Sequence, residues 1–252
     1  MSTNNPFGNL KTEGLEQAQD RLGGGFQPRE SNVYDFKIKA FYAGVADSGA
    51  QNVSVIVEDA AGEYRETIYV TNKKGENWFL NKEDQTKKVP LPGFTTINDI
   101  CLLATGFPLA DQEWEEKVIK LYDFEARKEL NKSVMMATGL VGQEITLGLL
   151  QTLKNKGVKQ ADNSYIDGPE ERTEVSIAKV FHTESKKTVV ELENGVEEAD
   201  FYGKWAEKNK GAVIDKRTIK DGAGGKPVSK APPQAAGAAA GAPARKSLFG
   251  NK

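Results

Sequence analysis

The chain has 252 residues, with 34 basic and 36 acidic side chains and a formal net charge of −2, a length that predicts one generous domain or two small ones. Hydrophobic residues make up 38% of it and glycines number 25, so a sizeable core is expected without staples, and no cofactor is needed to hold it. A single cysteine, Cys101, and a single histidine, His182, exclude an intrachain disulfide and a zinc site of Cys and His ligands. No apolar run reaches the roughly 18 residues of a membrane span, and no basic, apolar signal segment opens the chain. The expectation is a soluble protein of a reducing cytoplasm, without a membrane partner.

Residues 1–30 read as a flexible N-terminal arm, punctuated by Pro6, Gly23, Gly24, Gly25 and Pro28, with one short helix over 13–22. Residues 31–211 carry the folded pattern. Over 34–42 the chain alternates, placing Tyr34, Phe36, Ile38, Ala40 and Tyr42 on one face and Asp35, Lys37, Lys39 and Phe41 on the other. Residues 52–58 repeat the signal with Val53, Val55 and Val57, and 60–63 read as a hairpin turn. A third strand over 64–71 points Ile68 and Val70 inward and Arg65, Thr67 and Tyr69 outward. Together these predict an antiparallel meander with one wet face.

A long connection over 72–94 follows, containing Pro90 and Pro92. Thr96 with Asp99 three residues later has capping-box form and opens a short helix that Gly106 ends. Strands are predicted over 117–122, 133–136 and 143–153, a hairpin over 173–182 and 187–192, and a closing helix over 197–209 with Phe201, Tyr202 and Trp205 to one side. Three strands, a helix and two more strands is the order of an OB-fold. The predicted fold is therefore mainly β: an OB-fold-like five-stranded barrel with one helix between strands three and four, an extra β-hairpin and a C-terminal helix.

Residues 212–252 are expected to form a disordered, basic tail rich in Ala, Gly and Pro, with eight basic residues against Asp215 and Asp221. Leu248 and Phe249 stand at its end as apolar side chains that only a binding partner would bury. The tail therefore predicts docking to a replication protein of phage or host, or contact with a polyanion.

Catalytic patterns are missing. Gly224-Gly225-Lys226 runs into Pro227 without the leading glycine of a phosphate loop, and there is no nucleophile elbow or dinucleotide fingerprint. Cys101, among Ile100, Leu102 and Leu103, reads as a buried small hydrophobe. Acidic clusters at Glu113, Glu115 and Glu116 and at Glu197, Glu198 and Asp200 read as solvated faces. No enzyme, metal or cofactor is expected.

The informative constellation is basic and aromatic. Lys37, Lys39 and Phe41 on the polar face of the first strand, and Arg65 and Tyr69 on that of the third, precede a connection carrying Lys73, Lys74, Trp78, Phe79, Lys82, Lys87 and Lys88. Cations that track phosphates and rings that stack on bases are how single-stranded nucleic acid is held. Packing of Trp78 and Phe79 beneath the loop is the competing structural reading, and Glu76, Glu83 and Asp84 dilute the loop's charge.

The strings 14–26, 64–67, 70–77, 87–94 and 180–184 together resemble a group of single-stranded DNA-binding proteins of tailed bacteriophages, over most of residues 8–220. The resemblance implies an OB-type fold, binding without sequence preference and a role in phage DNA replication or recombination, in the host cytoplasm. It leaves the tail uncovered, and the tail departs from the acidic ending of many single-strand binders. A virion or scaffold-type structural protein is the alternative from another class, and a metal-dependent nuclease is a further one.

Overall fold

The computed structural model describes residue 14 and residues 28–123, 126–162 and 164–219. The arm and helix expected over 1–30 lie almost wholly outside the described residues, as do Leu248 and Phe249. The described chain is mainly β, built on a meander of β1 (Asn32–Val45), β2 (Gln51–Asp59) and β3 (Gly62–Tyr69). Each turn has a local cause. Gly49 adopts φ 82° between β1 and β2, and the Asp59 carboxylate accepts from the Ala61 N–H at 2.9 Å between β2 and β3.

The connection after β3 forms a small two-stranded sheet, β4 (Trp78–Leu80) against β5 (Lys88–Pro90). Helix α1 (Pro92–Thr105) begins with Pro92 in its first turn and ends at Gly106 (φ 80°), whose N–H bonds to the Leu102 carbonyl. Thr96 is thus inside the helix, donating to the Pro92 carbonyl at 3.1 Å, so the expected capping box there is wrong. A hairpin of β6 (Trp114–Asp123) and β7 (Lys128–Ala137) follows. Then come the long strands β8 (Glu144–Lys159) and β9 (Tyr165–Phe181).

Residues 187–192 are not the strand expected of them. Val189–Glu193 is a short helix, α2, with a true capping box between Thr188 and Glu191: the Glu191 N–H donates to the Thr188 hydroxyl at 3.2 Å, and the Thr188 N–H to the Glu191 carboxylate at 2.9 Å. The other Glu191 oxygen accepts from the Phe201 N–H at 2.9 Å, tying α2 to α3 (Asp200–Asn209). Phe201, Tyr202 and Trp205 of α3 surround Phe181 with ring centroids 5.2–6.3 Å away. Trp205 lies over Gly148, where an added Cβ would stand 2.6 Å from the indole. Residues 212–219 do not belong to a disordered tail. β10 (Val213–Asp215) adds to β8 in parallel.

Eight strands form one sheet, in the order β10-β8-β1-β2-β3, with β9 on the other side of β8 and β7, followed by β6, on β1. The sheet is antiparallel but for β10, and it does not close into the expected five-stranded barrel. No ladder joins β3 to β9 among the described residues. Side chains span that seam instead. The Ile177 N–H donates to the Glu66 carboxylate at 2.7 Å, and the Tyr64 hydroxyl stands 2.8 Å from the same carboxylate oxygen and 3.1 Å from the Val175 carbonyl oxygen. Burial pushes the Glu66 carboxyl above its ordinary range, against the pull of the Ile177 and Tyr64 donors.

The main core lies between the sheet and α1, where Phe36, Ile38, Phe41, Val55, Val57, Ile97, Ile100, Leu147 and Leu149 are buried together. Phe41 is there because β1 contains a bulge. Ile38 opposes Val57 and Ala40 opposes Ile56, so Lys39 is an extra residue in the strand. Beyond it the faces exchange: Phe41 turns into the main core, and Ala40 joins a small second cluster with Ile56 and Met136. No helix among the described residues is long and apolar enough to cross a membrane.

Candidate nucleic-acid interface

Behind the core, the outer face of the meander carries rows set by register: Tyr42–Ser54–Thr67, Ala40–Ile56–Arg65, and Asn52 opposite Tyr69. β7 pairs with β1 only at Tyr42 and Ala43. From that attachment the β6–β7 hairpin reaches across the outer face, packing Ile119, Leu121 and Val134 with Tyr42 on the second cluster. Between hairpin and meander runs a cleft of about 300 Å³, whose walls include Tyr42, Arg65, Thr67, Leu121, Tyr122 and Lys132. A second cleft of about 690 Å³ lies along the β3–β9 seam, and Arg65 lines it too, beside Pro28, Arg29 and Tyr64. Arg29 is fixed there by a two-pronged pair with Asp59 at 2.7 Å.

Of the residues singled out in the sequence, Phe41 does not belong to this surface. It is fully buried, because the bulge at Lys39 reverses the alternation on which its outward assignment rested. Lys37, Lys39, Arg65 and Tyr69 do share the outer face. Two of those cations are engaged, since Glu63 takes both Lys39 and Arg65 at 2.5 Å, and Lys39 also stands 3.4 Å from Glu58. The hydrogen bonds from Lys39 and then Arg65 hold the Glu63 carboxyl below its usual range, and Glu63 in turn raises Lys39. Tyr69 is 52% exposed at the end of β3.

The connection residues occupy the separate small sheet that begins just past Tyr69. Asn72 shapes its entry, its side-chain oxygen accepting from the Lys74 and Glu76 N–H groups at 2.8 and 3.0 Å. Lys73 and Lys74 project from this turn into solvent. In the two-stranded sheet Lys88 Nζ sits 4.0 Å from the centroid of the Trp78 ring, and Phe79 is 42% exposed opposite Val89. Lys87 pairs with Asp84 at 3.2 Å. Lys37, Lys73, Lys74, Lys82 and Lys88 have no ion pair with an acid among the described residues.

Tyr42, Tyr122 and Lys132 line the cleft and lie outside the sequence-based set. Tyr42 was assigned to the core face by the same unbroken alternation that misplaced Phe41. Tyr122 and Lys132 come to the cleft only through the reach of the β6–β7 hairpin, which no local pattern encodes. Lys132 pairs with Asp123 at 2.8 Å.

His182 and Cys101 are both held within the fold. His182 Nδ1 lies 3.2 Å from the Ser185 N–H and 3.0 Å from its hydroxyl, closing a tight turn. Cys101 is buried in α1, and burial pushes its thiol up to about 12. Among the described residues no three His, Cys, Asp or Glu side chains are grouped to hold a metal ion. Neither a protein-family model nor a curated protein matches the chain.

Proposed function

We propose that this protein binds single-stranded DNA without sequence preference and acts in phage DNA replication or recombination. The observation that carries the reading is the outer-face cleft, where Tyr42, Tyr122, Arg65 and Lys132 converge and from which Tyr69 leads toward Lys73 and Lys74. Rings and cations that share one groove are what a single strand needs for stacking and phosphate contact.

In the same reading β1, β2, β3, α1, β8 and β9 constitute an OB-type unit, with β4–β5 and β6–β7 inserted around the helix. Its support is that β1 pairs with both β2 and β8, β9 pairs with β8, and Tyr64 and Glu66 span the remaining seam. OB folds bind oligonucleotides on the face of strands two and three, and that is the face the cleft occupies.

The test is a titration of the protein with oligo(dT) and with duplex of equal length over a series of salt concentrations. Binding of the single strand, with log affinity falling against log salt at a slope steeper than about −2, is the expected result. An affinity indifferent to salt, or no retention of oligo(dT) at low salt, would sink the proposal. Recovery of the oligonucleotide intact after incubation with Mg²⁺ separates binding from nuclease action.

A further inference from the structure

We propose that the cleft on the β3–β9 seam takes a base of the bound strand, stacked on the guanidinium plane of Arg29, so that the strand crosses β3 at Arg65. This rests on the nucleic-acid reading and extends its path. Arg65 lines both clefts, the outer one of about 300 Å³ and the seam one of about 690 Å³. A strand leaving the outer cleft past Arg65 therefore meets the larger space next.

Arg29 makes that space a stacking site. Its Nη1 and Nη2 donate to the two Asp59 carboxylate oxygens at 2.7 Å each, and Nη2 donates also to the Gly62 carbonyl at 2.8 Å. Its Cζ lies 5.0 Å from the Phe36 ring centroid and 5.4 Å from that of Tyr34. The guanidinium is thus fixed at its edge by three acceptors and backed by two rings, and it lines the cleft. Bases stack on arginine planes as they do on aromatic rings, and a plane held in advance loses little freedom when a base arrives. Pro28, Tyr64 and Val175 add apolar surface to the walls. The charge of Arg29 is already matched by Asp59, so it offers a phosphate little and a base its flat face. Contact through that face carries no sequence preference, because every base has one.

The experiment titrates the full chain with oligo(dT) over lengths of about 4 to 16 nucleotides. Thr173 is exposed on the β9 wall of the cleft, and Thr173→Trp fills the space while leaving Arg29 and Asp59 in place. Wild-type affinity should rise with length until both clefts are filled. Thr173→Trp should level off at a shorter length and bind the longest oligonucleotide at least about fivefold more weakly, the least that one stacked base contributes. Arg29→Lys keeps the charge but removes the plane and should show the same loss. In both variants the slope of log affinity against log salt should stay at the wild-type value, since no phosphate contact is lost. Thr173→Trp that binds every length as wild type does, or a shallower salt slope in Arg29→Lys, would overturn the base site and leave the outer cleft standing. Retention of dTMP by wild type that Thr173→Trp abolishes, with oligo(dT) affinity unchanged, would assign the cleft to a free nucleotide and overturn the strand's path. A wild type that binds no oligo(dT) would remove the nucleic-acid reading and this site together.

Discussion

The two faces of β1, β2 and β3 are made from the same strands and differ in what they ask of their residues. Inward, Phe36, Ile38, Phe41, Val53, Val55 and Val57 join a continuous core with α1, in which nearly every side chain is apolar and buried. Outward, a thin apolar cluster of Ala40, Ile56 and Met136 supports a mixed surface of rings, hydroxyls and ion pairs. The inner face is bound by volume, because close-packed interiors feel the loss of a single methylene. The outer face is bound by charge and shape, and its side chains can be altered without opening a void. A single extra residue, Lys39, decides which of the two faces Phe41 serves.

That contrast is open to direct challenge. Phe41→Ala should cost about 3–5 kcal/mol of stability, because the neighbours close only partly around the hole. Denaturant unfolding measures it, and oligonucleotide affinity per folded molecule should not change. A loss of affinity at unchanged stability would return Phe41 to the outer face. Tyr69→Ala should do the reverse, weakening single-strand binding by about 1–3 kcal/mol with little change in melting temperature. If Tyr69→Ala lowers the melting temperature and spares affinity, the outer face is a packing surface. The smallest effect is expected for Glu63→Gln, which releases Lys39 and Arg65 from a shared carboxylate. Binding of oligo(dT) should tighten by about two- to fivefold and become steeper in salt, as Arg65 is released to phosphate and Lys39 keeps only its longer pair with Glu58. Unchanged or weaker binding would show that those cations do not face DNA.

Where strands alternate without interruption, the sequence is a reliable guide: β2 and β3 follow from residue spacing alone, and Gly106 marks where the helix ends. β1 failed at one residue, because a bulge inserts no distinctive side chain and leaves the written pattern unbroken. The two capping boxes are instructive in the same way. Thr96 and Asp99 have the right spacing, but Pro92 had already started the helix, since proline fits its first turn. Thr188 and Glu191 have the same spacing in a Val-rich stretch that reads as strand, and there the box is real. Spacing identifies a candidate cap, and only the preceding residues decide whether a helix has begun. At the candidate site, the cations of β1, β3 and the connection could be found from sequence, with Tyr69. Tyr122 and Lys132 could not, because they depend on a hairpin attached to β1 at two residues and carried over its face.

Asn155 extends what counts as the folded unit. Its buried side chain acts as a surrogate peptide group: the oxygen accepts from the Thr218 and Ile219 N–H groups at 2.7 and 3.0 Å, and the amide donates to the Ile219 carbonyl at 2.9 Å. Nearer the start of β10, Ser31 plays a similar part, its carbonyl accepting from the Gly211 N–H at 2.7 Å and its hydroxyl from the Gln151 N–H at the same distance. The first strand's entry and the last strand's exit are therefore fastened to each other through β8. A polypeptide cut after residue 211, where composition draws the boundary, would strip β8 of its parallel neighbour and strand the buried Asn155 side chain. A cut after Ile219 removes none of these bonds.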